Sequence, residues 1–207
     1  MKRDSSRVSA VVLAAGRSAR MGEAKQLLRM GGQTMLEQTL ENVRASRVDE
    51  VVLVLGASAE LIRCEVRVVL LDGVRVEVNE NYQSGMASSL QVGLAAVSPE
   101  SDAALIVLAD QPLVRPDTMN QIIERYHGLD AEIVVPYYKG SRGNPVLLGR
   151  TVFAAAMALE GDVGCRAIFP RHADGIMRVD VDDAGILADI DSREDYERLI
   201  PTQANDA

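Results

Sequence analysis

The 207-residue chain has no tryptophan, two phenylalanines and five tyrosines. That leaves little material for platforms on which successive nucleic-acid bases stack. Basic charge is also scarce: 22 Lys and Arg face 30 Asp and Glu, a formal net charge of −8. Neither a nucleic-acid duplex nor an anionic membrane surface is therefore expected as partner. No stretch approaches the ~20 consecutive apolar residues that span a bilayer. Lys2 and Arg3 ahead of an apolar run over 8–15 imitate a secretory leader, but Ser9 interrupts the run and Arg17 follows at once. The same residues make a good first strand, so the expected location is cytoplasmic.

Cysteine and histidine are equally sparse. Cys64 and Cys165 stand alone, with neither metal nor redox spacing and too few for a disulfide framework. Two reduced, mostly packed thiols are expected. His127 and His172 are the only histidines, and both fall in polar surroundings where solvent exposure is expected. A Ser-His-Asp triad or a histidine-rich zinc site has little support from so few.

What is present is a regular alternation. Apolar runs over 8–13, 50–55 and 103–108 read as strands, as does 74–78, where Val74, Val76 and Val78 alternate with Arg75 and Glu77; between them 33–46 and 84–97 carry helical patterns. In the second window Ser84 is the expected N-cap. The stretch 57–69 starts helically, while 66–71 also fits a strand. Beyond 110, a helix over 116–127 opens with Pro116 at a favourable first position. Strands follow at 132–136, 145–148 and 177–181, with helices at 151–159, 164–169 and 193–199. Alternating strands and helices predict an α/β fold: one domain with a predominantly parallel, Rossmann-like sheet covered on both faces.

The chemistry begins where the first strand ends, in Leu13-Ala14-Ala15-Gly16-Arg17-Ser18-Ala19-Arg20-Met21-Gly22-Glu23-Ala24-Lys25. Small residues admit close backbone approach, and free amides in such a loop form an anion-binding concavity. Arg17, Arg20 and Lys25 add cations, which suggests a polyphosphate. A tight turn with solvated basic side chains would explain a lone glycine. Here glycines and cations coincide at the carboxyl end of a strand, where open α/β sheets bind ligands. It is not a P-loop, because five residues separate Gly16 from Gly22 and Glu23 follows. Nor is Gly-x-Gly-x-x-Gly present.

That loop, with Lys25 and Leu27-Leu28 after it, resembles the signature of the molybdenum cofactor guanylyl- and cytidylyltransferase family. The resemblance implies a nucleotide-diphospho-sugar transferase-like fold and a loop that wraps a nucleoside triphosphate. It assigns Leu13, Ala14, Ala15, Gly16, Arg17 and Lys25 to the nucleotide, with Arg17 and Lys25 also catalytic. The Leu-Ala-Ala-Gly form is similar to the cytidylyl branch, whereas the guanylyl branch more often has Leu-Ala-Gly-Gly.

Five further motifs carry the rest of the resemblance. Asp110, in Asp110-Gln111-Pro112, sits at the tip of an apolar strand, where a carboxylate either caps the turn or holds a metal. The phosphate loop on the same sheet edge favours the metal, since Mg²⁺ takes one or two carboxylates plus phosphate oxygens. The family places its metal-binding aspartate here, so Asp110 is the first expected Mg²⁺ ligand and a catalytic residue. In Asp189-Ile190-Asp191-Ser192, an extended backbone would put both aspartates on one face. Asp191 or Ser192 also suits the cap of the following helix. The family resemblance makes Asp191 the second metal ligand, with Asp189 as its rival.

Ser84-Gly85-Met86-Ala87-Ser88-Ser89 presents amides and hydroxyls at a helix start, which serve a cap and a ligand equally well. Similar elements in the family lie beside the nucleotide, which assigns Gly85 and Ser88 there. Arg142-Gly143-Asn144-Pro145-Val146 reads as a hairpin turn, and Gly161-Asp162-Val163-Gly164-Cys165-Arg166 as a helix start capped by Asp162. Arg142 and Arg166 have the bidentate geometry that binds a phosphate. The resemblance assigns Arg142, Asn144, Asp162 and Arg166 to the acceptor.

The resemblance thus implies one nucleotidyltransferase domain over 1–207, with a nucleotide-binding half to 110, an acceptor half over 111–200 and a tail over 201–207. It implies Mg²⁺-dependent transfer of CMP from CTP, or of another nucleotide, onto a phosphorylated pterin. A molybdenum hydroxylase or its maturation chaperone would be a further partner. Other readings on the same fold are another phosphorylated acceptor, a non-catalytic cofactor-delivery protein, and an oxidoreductase. An acceptor phosphate is already a nucleophile, so in-line positioning and charge neutralisation would suffice.

Overall fold

The β-branched opening run forms β1 (Val8–Ala14), buried along its whole length except for partial exposure at Leu13. The computed structural model describes residues 6–17, 24–67, 71–128 and 131–199. After β1 come the short strands β2 (Arg29–Met30) and β3 (Gln33–Thr34), then α1 (Met35–Arg44), β4 (Glu50–Leu55), α2 (Ala59–Glu65) and β5 (Val74–Val78). They are followed by α3 (Met86–Ala96), β6 (Ala103–Leu108) and α4 (Pro116–Gly128). The remainder comprises β7 (Ile133–Tyr138), β8 (Ser141–Arg142), β9 (Val146–Gly149), α5 (Phe153–Met157), β10 (Ile176–Asp180) and α6 (Arg193–Leu199).

The large sheet runs β10-β7-β9-β6-β1-β4-β5, with β8 paired to β7. β1 is parallel to both neighbours, as are β4 with β5 and β7 with β10. Only β8 and β9 run antiparallel within it. The short connection from β7 to β9 is too brief for a parallel crossover, which needs a dozen or more residues. Successive strand residues feed opposite faces. Ala10, Val12 and Leu53 pack with Leu40 of α1 and Ile122 of α4. Val11, Val52 and Val54 pack with Leu90 of α3 and Phe153 of α5. The α/β single-domain fold with helices on both faces is the one expected.

Several boundaries differ from the sequence reading. The helix expected from 33 starts at Met35, because residues 33–34 pair antiparallel with 29–30. Thr34 then caps it in a reciprocal box: its hydroxyl accepts from Glu37 N–H while the Glu37 carboxylate accepts from Thr34 N–H. Ser84 does not cap α3; its hydroxyl donates to Asn81 O at 2.7 Å, and Gly85 takes the N-cap position without a side-chain cap of its own. The segments 151–159 and 164–169 form the short α5 and 3₁₀ turns. The helical start expected after 57 is α2, and residues 68–70 lie outside the described residues, as does the tail over 201–207.

Cys64 is exposed, contrary to expectation, because it falls on the outer side of the short α2. Cys165 is buried, and burial pushes its thiol up to about 11. Neither histidine is fully exposed. His127 is half-buried in the last turn of α4, and His172 Nδ1 lies 2.9 Å from Glu132 Oε2. Among the described residues no helix is long and apolar enough to cross a membrane.

Candidate functional site

From β1 the chain builds β4 and β5 on one side, then returns to lay β6 on the other. This reversal opens a crevice at the carboxyl ends of β1 and β6, the usual ligand position in such sheets. The two ends are tied where Ala109 N–H donates to Leu13 O at 3.1 Å. Between them lies a cleft of about 470 Å³. Its walls are residues 13–17, Lys25 and Gln26, residues 82–86, Asp110, Asp162 and Asp191. Ten expected residues thus meet in one place: Leu13, Ala14, Ala15, Gly16, Arg17, Lys25, Gly85, Asp110, Asp162 and Asp191. Arg20 and Gly22 of the loop lie outside the described residues.

Lys25 is the hub of the cleft floor. Its Nζ donates to Asp110 Oδ2 and to Asp191 Oδ1, each at 2.7 Å. Burial lowers the ammonium's pKa, but the charges and hydrogen bonds of Asp110 and Asp191 outweigh it and hold it above the ordinary lysine value. The ammonium occupies the space between two carboxylates that the sequence reading assigns to a cation. Asp110 Oδ1 is buried and has no hydrogen-bond partner among the described residues. A buried acceptor left unsatisfied is costly, and a hard cation would satisfy it. Two carboxylates and open space for phosphate oxygens fit Mg²⁺, which keeps few protein ligands. No larger cluster of His, Cys, Asp or Glu suited to a metal exists among the described residues.

Asp191 reaches the floor because the chain returns beside β6. Ile190 N–H donates to Asp110 O at 3.0 Å, and the Ile190 side chain is buried with Leu28 and Met35. The flanking aspartates then separate, Asp191 to Lys25 and Asp189 to Gln111, whose Nε2 donates to Asp189 Oδ1 at 2.6 Å. Asp189 is held above the usual carboxylate range by burial first and then by the charge of Asp110, against the Gln111 hydrogen bond and Arg166. The cap expected nearby exists too: Ser192 Oγ accepts from Asp195 N–H at 3.1 Å, and Asp195 Oδ2 accepts from Ser192 N–H at 3.0 Å.

Other assigned residues stand apart from the cleft. Ser88 does not line it; its hydroxyl donates to Gly85 O at 2.8 Å and accepts from Asn79 Nδ2 at 2.8 Å. Ser89 lines the cleft instead. Arg142 is exposed on β8, its guanidinium 5.8 Å from the Phe169 ring. Asn144 donates its N–H to Ile186 O at 3.1 Å and precedes a cis bond to Pro145. Arg166 is exposed, its charge felt by Asp189 and Cys165. Asp162 does not cap the turn that follows it, which has Gly164 at its N-cap and no side-chain cap.

Sequence reasoning passed over Gln26. Its buried amide donates to Ala14 O at 2.9 Å and Gly16 O at 3.1 Å, fixing the loop's carbonyls from beneath. A polar residue between Lys25 and the apolar pair 27–28 was the available signal.

The chain as a whole is similar to known proteins. The chain matches the MobA-like NTP transferase domain over residues 10–176. It belongs to that family. Within the wider nucleotidyltransferase superfamily, its structure is similar to the crystal structure of Rv0371c from Mycobacterium tuberculosis H37Rv. The TM-score is 0.83 at 36% identity, over 94% of this chain and 98% of that one. A structure of Rv0371c in complex with manganese also matches, with TM-score 0.79 and 33% identity over 95% of this chain and 100% of that one. A nucleotidyl transferase from Methanothermobacter thermautotroptrophicus, Mth528, matches with TM-score 0.78 at 26% identity, over 95% and 97% of the two chains. Among curated proteins, nicotine blue oxidoreductase of Paenarthrobacter nicotinovorans is 30% identical over 205 residues, 93% of this chain and 96% of that protein.

Proposed function

We propose that this NTP-transferase domain moves CMP from CTP onto the phosphate of a molybdopterin-type acceptor and releases pyrophosphate. The observation that carries the transfer reaction is the ammonium of Lys25 held between Asp110 and Asp191, beneath the loop over 13–17. Manganese in a relative 33% identical to this chain supports a divalent metal here. Asp110 and Asp191 would hold Mg²⁺, which when bound neutralises triphosphate charge.

The chain's own residues supply the rest. Amides of 15–17 cradle the phosphates, and Arg17 and Lys25 offset their charge. Arg142 and Arg166 of the acceptor half take the acceptor's phosphate. An oxygen of that phosphate attacks the α-phosphorus of CTP in line, and the bond to the β-phosphate breaks. No side-chain base is required, because the acceptor phosphate is already an anion. CTP is favoured by the Leu13-Ala14-Ala15-Gly16 form. The pterin acceptor is favoured by the motifs at 142–146 and 161–166.

Pyrophosphate release with CTP, GTP, ATP and UTP, each with Mg²⁺ and molybdenum-loaded pterin cofactor, tests the proposal. Release with CTP alone is expected, and silence with every nucleotide would overturn it. Full-length similarity to nicotine blue oxidoreductase favours a second reading, redox chemistry on a pigment. Reductive bleaching of that pigment by the purified protein supplied with a nicotinamide hydride donor would support it.

A further inference from the structure

The start of α3 is capped by a loop distant in sequence. Gly85 provides no side-chain cap, yet first-turn amides of a helix need acceptors. Met86 N–H donates to Asp162 Oδ1 at 3.2 Å, and Ala87 N–H donates to Gly161 O at 3.2 Å. Both acceptors belong to the acceptor-half loop over 161–164. The loops interlock closely. Gly85 has φ +107°, and a methyl group there would overlap the Gly161 carbonyl and lie 2.5 Å from Asp162 N. A methyl group on Gly164 would lie 2.9 Å from Met86 Sδ.

We propose that Asp162 is a positioning residue that clasps the nucleotide wall to the acceptor loop, and is not itself an acceptor ligand. Its carboxylate oxygen fixes the backbone of residues 84–87, of which Ser84, Gly85 and Met86 line the cleft. The same hydrogen bond fixes loop 161–164, which ends two residues before Arg166. Order imposed by a nucleotide on one loop is thereby passed to the other, so the acceptor arginine is placed only once the nucleotide wall is set. This consequence for the substrates rests on the transfer reaction proposed above; the clasp itself does not.

Asp162→Ala and Asp162→Asn separate the possibilities, because an asparagine oxygen still accepts from Met86 N–H while the charge is lost. Two readouts on the full chain decide: amide hydrogen exchange at residues 84–88 and 161–164 without ligand, and Mg²⁺–CTP affinity without acceptor. Asp162→Ala should speed exchange at both loops and weaken CTP about fivefold, the scale of a lost helix cap. Asp162→Asn should hold both readouts within about twofold of the parent. Unchanged exchange in Asp162→Ala, or equal losses in both variants, would overturn the clasp. If the parent protein binds no nucleotide, the transfer proposal falls, and the exchange comparison alone decides the clasp.

Discussion

Lys25 and Asp110 are joined by a 2.7 Å ion pair on the cleft floor, with side chains only 14% and 24% exposed. The same ammonium reaches Asp191 at the same distance. In this arrangement the lysine and a divalent cation compete for one pair of carboxylates. Lys25→Met should therefore tighten Mn²⁺ binding to the nucleotide-free protein by about tenfold, since an opposing cation is removed from beside the ligands. The same variant should bind CTP more weakly, by about tenfold, having lost a phosphate partner. Electron paramagnetic resonance of free Mn²⁺ during a titration reads the first effect directly. Weaker Mn²⁺ binding in Lys25→Met would show that lysine and metal do not share the site.

Asp110→Ala removes the carboxylate while leaving Asp191 to hold Lys25. Loss of a metal ligand in triphosphate chemistry should reduce turnover at least about a thousandfold. Stability should hardly fall, because Asp110 Oδ1 is buried and without a partner among the described residues, and such an oxygen opposes folding. Turnover and the thermal midpoint should thus separate, with the midpoint moving by no more than about 3 °C. Full Mg²⁺-dependent turnover in this variant would refute the metal assignment.

The strands were legible from two patterns: near-continuous apolar runs where both faces are buried, and for 74–78 the alternation of valines with Arg75 and Glu77 that marks a wetter face. The runs over 50–55, 74–78 and 103–108 match β4, β5 and β6 to the residue. The loop after β1 and Asp110 were legible as site residues because strand ends at one sheet edge converge. Where partners come from distant segments, the sequence is mute. Ser84 has the chemistry of a helix cap, yet α3 is capped by Asp162, 76 positions away. Ser88 and Ser89 look alike in sequence, and only packing shows that the Ser88 hydroxyl is taken up by Gly85 and Asn79 while Ser89 lines the cleft.

Glu37 closes a second long-range link, and it titrates. It is buried at the start of α1, where its carboxylate accepts from Thr34 N–H, Arg67 N–H and Arg67 Nε. Burial raises its pKa, but these hydrogen bonds and the Arg67 charge outweigh that and hold it below the usual carboxylate range. A carboxyl with a depressed folded value stabilises the fold above its unfolded pKa, and the contribution is lost as pH falls through the folded value. Glu37→Gln should therefore unfold more easily than the parent at pH 7, by about 2 kcal/mol. The gap should narrow below about pH 4, near the unfolded carboxyl value. Urea midpoints of the two proteins between pH 7 and pH 3 measure it, and a constant gap would mean Glu37 acts by shape alone.

Gly93 decides how closely α3 lies on the strand that carries the phosphate loop. A methyl group there would overlap Val11 Cγ1 and come within 3.1 Å of Val54 Cγ2. Both neighbours are β-branched and held in the sheet, so neither side chain can rotate away without cost. Overpacking of this kind costs about 1–3 kcal/mol, against a gain of about 1 kcal/mol for alanine over glycine in a helix. Repulsion should win by about 1 kcal/mol, lowering the thermal midpoint of Gly93→Ala by about 2–4 °C. Because α3 also presents Met86 and Ser89 to the cleft, the displaced helix should weaken CTP binding as well. A second change, Val11→Ala, makes room for the new methyl group and should restore CTP affinity to Gly93→Ala. Calorimetric melting and CTP titration of the single and double variants test this. A double variant that binds CTP no better than Gly93→Ala would show that the contact with β1 does not position the cleft.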